Sequence, residues 1–174
     1  MDVVSQLNTD MDSPLKHRVR MMDSDKNTWV NNVALKQWLA PHLTTGGVSK
    51  KVAEKTQILK EYFKAAAAVW PRAWGDLKSY NLCRPMGFEI LIGLFGPVKH
   101  RCDLNCGRQY TRENFSSQMA PLLDATIELP GGGKLPVNWE RGLMGSVANR
   151  SGRTLITKQL ADLLRQADEA AIED

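Results

Sequence analysis

The stretch "VAEKTQILKEYFKAAAAVWP", Val52 to Pro71, decides how this chain is read. Val52, Thr56, Leu59, Phe63, Ala66 and Val69 recur at intervals of three and four, with Tyr62 beside them, which is the period of a helix with one apolar stripe. Lys50, Lys51, Lys55, Lys60 and Lys64 fall mostly on the other faces, where Glu54 and Glu61 offer partial i,i+3 and i,i+4 pairing. Ser49 is a candidate N-cap. Pro71 disfavours the α region at Trp70, so the helix is expected to stop there. "PRAWGD", 71–76, then reads as a turn in which Gly75 supplies a positive φ. The four alanines allow another backbone to come close. Trp70 and Trp74 read as apolar bodies covering that corner, each with an indole N–H in need of a partner. A base-stacking platform is the alternative reading.

Working outward, Asn27 or Thr28 is a candidate cap for an earlier helix with Trp29, Val33, Leu35, Trp38 and Leu39 on its apolar side, ended by Pro41 and "TTGG". Pro85–Phe95 reads as a helix with proline in its first turn. "GPVKHRCDLNCG" reads as a loop, and a further helix begins at Thr111 or Arg112 and runs through Leu123. Thr126–Leu129 and Leu135–Trp139 are short β-prone runs around "PGGGK", the best hairpin signal in the chain, weakened by Pro130 and Pro136. Thr154–Ala171 closes the pattern as a helix with Leu155, Leu160, Leu163 and Leu164 inward. The expected fold is mainly α: a compact helical domain over 28–174 with a small β-hairpin near 125–139, preceded by an extended polar segment over 1–27.

The chain has 174 residues, enough to bury a core without staples, and its 43% hydrophobic and 24% charged residues are ordinary for a globular protein. No apolar run reaches the ~18–20 residues that cross a bilayer. The acidic start "MDVVSQLNTDMD" is no secretory signal, so a cytosolic protein without membrane contact is expected. The net charge of +4 is unevenly spread: residues 1–12 hold three acids and no base, whereas residues 13–112 carry 17 Lys/Arg against 7 Asp/Glu. Such a block attracts phosphate if it converges on one face, and is a solvated surface if it disperses.

Few motifs carry chemistry. Cys83, His100, Cys102 and Cys106 have the right side chains for zinc but no C-x-x-C spacing, so a zinc site and a plain cysteine-bearing loop both remain open. "PGGGK" lacks the hydroxyl that a phosphate-binding P-loop places after its lysine, and a hairpin turn suits it better. No catalytic constellation is nominated, and no cofactor is called for. Two basic segments stand out. "SPLKHRVR" sets Lys16, His17, Arg18 and Arg20 along an extended piece able to follow a phosphate backbone. "NRSGRT" places Arg150 and Arg153 before a helix, where Arg and backbone N–H groups commonly meet phosphate. Lys50 and Lys51, at the start of the long helix, are secondary candidates.

Three pieces together resemble the C-terminal portion of the DGQHR-domain, DndB-like proteins of DNA phosphorothioation systems: "LNTDMDSPLKHRVRM", "ILKEYFKAAAAVWPRAWGD" and "YNLCRPMGFEILIGLF". The Asp-Gly-Gln-His-Arg motif itself is absent, which implies a fragment or a shortened relative. The resemblance implies a bacterial, cytoplasmic protein tied to DNA modification, phage defence or control of those genes, with DNA as partner. A protein-interaction domain, with a protein partner or a second copy of itself, is the alternative, as is a non-catalytic fragment of a nucleic-acid enzyme.

Overall fold

A computed structural model describes residues 2–44, 51–144 and 149–173. In chain order the elements are α1 (Val3–Thr9), β1 (Val19–Arg20), β2 (Val30–Asn31), α2 (Asn32–Thr44), α3 (Val52–Val69), α4 (Pro85–Asn105), α5 (Arg112–Met119) with a 3-10 turn over Ala120–Leu122, β3 (Thr126–Glu128), β4 (Lys134–Pro136), α6 (Arg141–Met144) and α7 (Arg150–Glu173). The protein is thus mainly α with a small hairpin. Among the described residues no helix is long and apolar enough to cross a membrane.

The stripe read from α3 is the one that goes inside: Thr56, Leu59, Phe63 and Ala66 are buried, and Tyr62 with them. Tyr62 Oη donates to Leu91 O of α4 at 2.6 Å. The Tyr62 ring meets Phe95 and Phe115 edge-on at centroid distances of 5.0 and 5.4 Å, joining α3, α4 and α5 around one aromatic cluster. As expected, α3 ends at Trp70 and Gly75 has a positive φ of +85°. Trp70 is buried edge-on against Trp139, and Trp74 packs on Trp29 and Phe88. The helix starts one residue after Lys51, and the expected cap Ser49 lies outside the described residues.

Four expectations change. Residues 1–27 are neither extended throughout nor separate from the domain. Asp2 caps α1, its side chain accepting from Ser5 N, and Val3, Val4, Leu7, Leu15 and Val19 join the common core. The helix expected from Asn27 begins at Asn32. Asn31 Oδ1 accepts from Ala34 N at 2.7 Å, and Val30 is drawn into a parallel pairing with Val19. Trp29 therefore precedes α2, Val33 points outward at 71% exposure, and Pro41 sits in the last turn instead of ending the helix. α4 runs through Gly96 and Pro97 to Asn105, absorbing the supposed loop. α7 starts at Arg150 because Asn149 Oδ1 takes the Gly152 N–H at 2.7 Å, leaving Thr154 inside the helix.

The long α4 is sustained by tertiary packing. At Gly93 a Cβ would lie 2.7 Å from Thr157 Cγ2 of α7, so with threonine opposite, the two helices come this close only because position 93 lacks a side chain. Gly87 is tighter: a Cβ there would lie 2.2 Å from Asn81 O and 2.3 Å from Leu82 O. The hairpin appears where the sequence placed it, with Ile127 opposite Leu135, both buried. Gln159 of α7 clasps it, accepting from Glu128 N at 2.7 Å and donating to Glu128 O at 2.9 Å.

Two substitutions separate these contacts. Gly93→Ala is expected to cost about 1–3 kcal/mol by overpacking, most of it recovered by adding Thr157→Ser, which removes the clashing methyl. Gly87→Ala meets backbone that cannot yield and should prevent cooperative folding. Urea unfolding followed by circular dichroism measures both.

Candidate nucleic-acid interface

The basic block does not converge as a whole, because the acidic N-terminus folds onto it. Lys60, only 7% exposed in its side chain, pairs with Asp10 at 2.8 Å and Asp12 at 3.4 Å. Lys64 pairs with Asp12 at 2.6 Å and Glu61 at 3.1 Å, and Lys36 with Asp2 at 2.6 Å. Burial pulls the Lys60 ammonium down, but the two carboxylates outweigh it and hold it above the ordinary lysine value. The hydrogen bond from Lys36 is the first cause holding the Asp2 carboxyl at about 2. Elsewhere Arg101 is buried against Leu164 O and Asp168, and Lys99 pairs with Asp103.

Among the bases these pairs leave, Lys51, Arg72, Lys78 and Arg108 stand singly at the surface, whereas the segment from Lys16 to Lys26 holds several close together in the chain. Leu15 and Val19 anchor it inward, each at 1% exposure or less, and Asn8 Oδ1 accepts the Val19 N–H at 3.0 Å. Lys16, His17, Arg18 and Arg20 are thereby turned toward the surface. Arg18 is held in place: its guanidinium lies 5.0 Å from the centroid of Trp29, and Nη1 donates to Asn27 O at 3.3 Å. A stacked guanidinium on an indole is a preorganised anion fork, since little side-chain freedom remains to be lost when an oxyanion arrives. The Arg18–Trp29 stack adjoins the Trp74 corner, with Trp29 and Trp74 edge-on at 5.6 Å. Lys16 is half-buried, with Nζ 2.6 Å from Met11 Sδ. Arg20 and Lys26 are exposed and, among the described residues, carry no ion pair. Asp25 closes the following loop by accepting the Met21 and Met22 N–H groups, and those bonds keep its carboxyl below the usual range.

The other sequence candidates are elsewhere. Arg153 pairs with Glu89 of α4 at 2.5 Å and belongs to the α4–α7 contact. Arg150 is exposed at the start of α7. Lys51 stands at the start of α3, whose next turn is tied to the C-terminal end of α2 by Lys55 Nζ on Leu43 O at 2.7 Å. Arg20 lies by the opposite end of α2, about 20 Å away along a 13-residue helix. Lys50 lies outside the described residues.

The zinc possibility does not assemble. Cys83 is buried under Gly75, whose N–H it accepts, and precedes α4, while Cys102 lies about 26 Å along that helix from its first residue, Pro85. His100 and Cys102, two apart on α4, point to opposite sides. Among the described residues no three His, Cys, Asp or Glu side chains gather as a metal site. Burial lifts the Cys83 thiol to about 11 and the Cys102 thiol to about 12, values that keep both protonated.

The structure joins the sequence candidate Arg20 to residues that sequence reading did not place at a site. Arg20, Met22, Asp23, Asn32, Val33 and Gln37 line an open depression of about 500 Å³ at the start of α2. The β1–β2 register sets Arg20 beside Asn31 and so brings the two segments together. Of these residues the sequence flags only Arg20; Val33 is expected inside and is found outside.

The Asp10 and Asp12 carboxyls lie below their ordinary value, held there first by hydrogen bonds from Lys60 and Lys64 respectively. The folded state therefore binds fewer protons than the unfolded one. The stability these groups add is complete above about pH 4–5 and is lost as pH falls through their lowered folded values. A double variant, Asp10→Asn with Asp12→Asn, is expected to melt several degrees lower at pH 7 because Lys60 is left without a counter-charge. Thermal melts across pH should show the gap to the natural chain closing as pH falls through the lowered values of these carboxyls. No protein-family model, no curated protein and no solved structure matches this chain.

Proposed function

We propose that the chain is a DNA-binding or regulatory module that grips the phosphate backbone through the Lys16–Lys26 segment. The observation that carries this reading is the Arg18 guanidinium held on Trp29 in a stretch whose neighbours Arg20 and Lys26 carry no ion pair among the described residues. Several other bases of the block serve folding, among them Lys36, Lys60, Lys64, Lys99 and Arg101, and among the described residues the segment is where unpaired bases stand closest together along the chain. Arg150 and Lys51 are exposed further positive charges at helix starts. The setting in a bacterial DNA-modification or phage-defence system rests on the resemblance to DGQHR-domain proteins.

Backbone binding of this kind releases counterions, so affinity falls steeply with salt. Fluorescence anisotropy with a labelled 25-base-pair duplex between 50 and 200 mM salt is the measurement. Affinity should fall at least tenfold over that range, and Arg18→Ala with Lys26→Ala should reduce the slope of log K against log salt by about one for each contact removed. Absence of binding at 50 mM salt, or a flat response, would sink the reading.

A further inference from the structure

We infer that the outward face of α2 is a base-reading surface that enters the major groove of duplex DNA while the adjoining basic segment holds the backbone. This rests on the DNA-binding reading above and goes beyond it, from backbone contact to sequence readout.

α2 has two unlike faces. Leu35 and Leu39 are fully buried, and the helix packs against α4 and α1. Val33, Lys36, Gln37 and Ala40 are exposed and spaced i, i+3, i+4 and i+7, which sets them on one side. At 13 residues the helix is about 20 Å long, and a helix fits a major groove about 12 Å wide. Lys36 on this face is held by Asp2, so the stripe between the basic segment and the C-terminal end of α2 is close to neutral.

The chemistry of the α2 start suits base edges better than water alone. Val33 and Met22 are 71% and 65% exposed and line the same depression, so the apolar exposure is not a single scattered side chain. An exposed valine has neither helix propensity nor burial to recommend it here, whereas a thymine methyl is a natural partner for it. Gln37 and Asn32 carry amides of the kind that bond adenine, Arg20 carries the fork that bonds guanine, and the Asp23 carboxylate on the same rim can accept only from a donor such as the cytosine amine. Asn31 is excluded as a reader through its oxygen, which is spent capping Ala34. Charge complementarity supplies the occupant. Arg18 and Lys26 lie on the segment that forms the edge of the depression, and contacts of that kind fix the register of a duplex without reading it.

The test is selection from a pool of randomised duplexes with the full chain, followed by competition binding of single variants. A short preferred motif should emerge. Gln37→Ala and Val33→Ala should each lower discrimination between that motif and random DNA by roughly 5- to 100-fold, with affinity for random DNA unchanged. Val33→Thr, which keeps one methyl, should retain the preference, and matched melting curves would show that the variants fold. Arg18→Ala should instead weaken binding to every duplex alike. Duplex RNA of the selected sequence should show no preference, because its major groove is too narrow and deep for a helix. Duplex binding without any motif, or a motif indifferent to both Gln37→Ala and Val33→Ala, overturns this inference and leaves backbone binding standing. Failure to bind any duplex at low salt overturns both.

Discussion

The buried hydroxyl of Tyr62 sets the frame of this protein. A tyrosine ring wholly inside the core must place its oxygen on an acceptor, and Leu91 O of α4 is where it goes. That one bond fixes how far along α4 the long helix α3 sits, and the edge-on contacts with Phe95 and Phe115 then orient α4 and α5 about it. Once α4 is placed, Gly93 admits α7, Phe88 receives Trp29 and Trp74, and α2 closes on the other side with His42 edge-on to Phe95. The hairpin follows α7 through Gln159.

Charge is arranged by the same frame. Along the chain the first acids and the later lysines look like a tail and a block. In space α1 and its following turn lie across α3, so Asp10 and Asp12 meet Lys60 and Lys64. A lysine with a nearly buried side chain is tolerable only with such partners. The effect on the surface is subtraction. Part of the positive charge that composition spreads over a hundred residues is taken up by ion pairs, and beside the start of α2 there remains a short segment with a stacked arginine.

Much of the architecture was legible. The α3 stripe, its stop at Trp70, the start of α5 at Thr111–Arg112 and the Ile127–Leu135 hairpin all depend on side chains within a few residues of one another, and local periodicity reports them. The misreadings share one cause. Pro97 looked like the end of α4, yet packing against α7 and α2 holds the helix through it. Trp29 looked like the first turn of α2, yet Val30 is taken by a strand pairing with Val19 eleven residues earlier. Lys60 looked like a solvated lysine, yet its partners lie fifty positions away. Of the candidate site, Arg18 and Arg20 were visible as a basic run. The depression beside them was not, because Arg20 and Gln37 meet only through the β1–β2 pairing.

By itself the sequence determined the helical class, the hairpin, the corner at Trp70–Gly75 and the presence of a basic surplus, since each is written in spacing, turn chemistry or composition. Only the tertiary structure decided which bases are spent and which are left, which face of α2 is outward, and that Arg18 rests on Trp29. Those outcomes depend on contacts between residues far apart in the chain, and long-range pairing of charge and apolar surface overrides local propensity wherever the two compete.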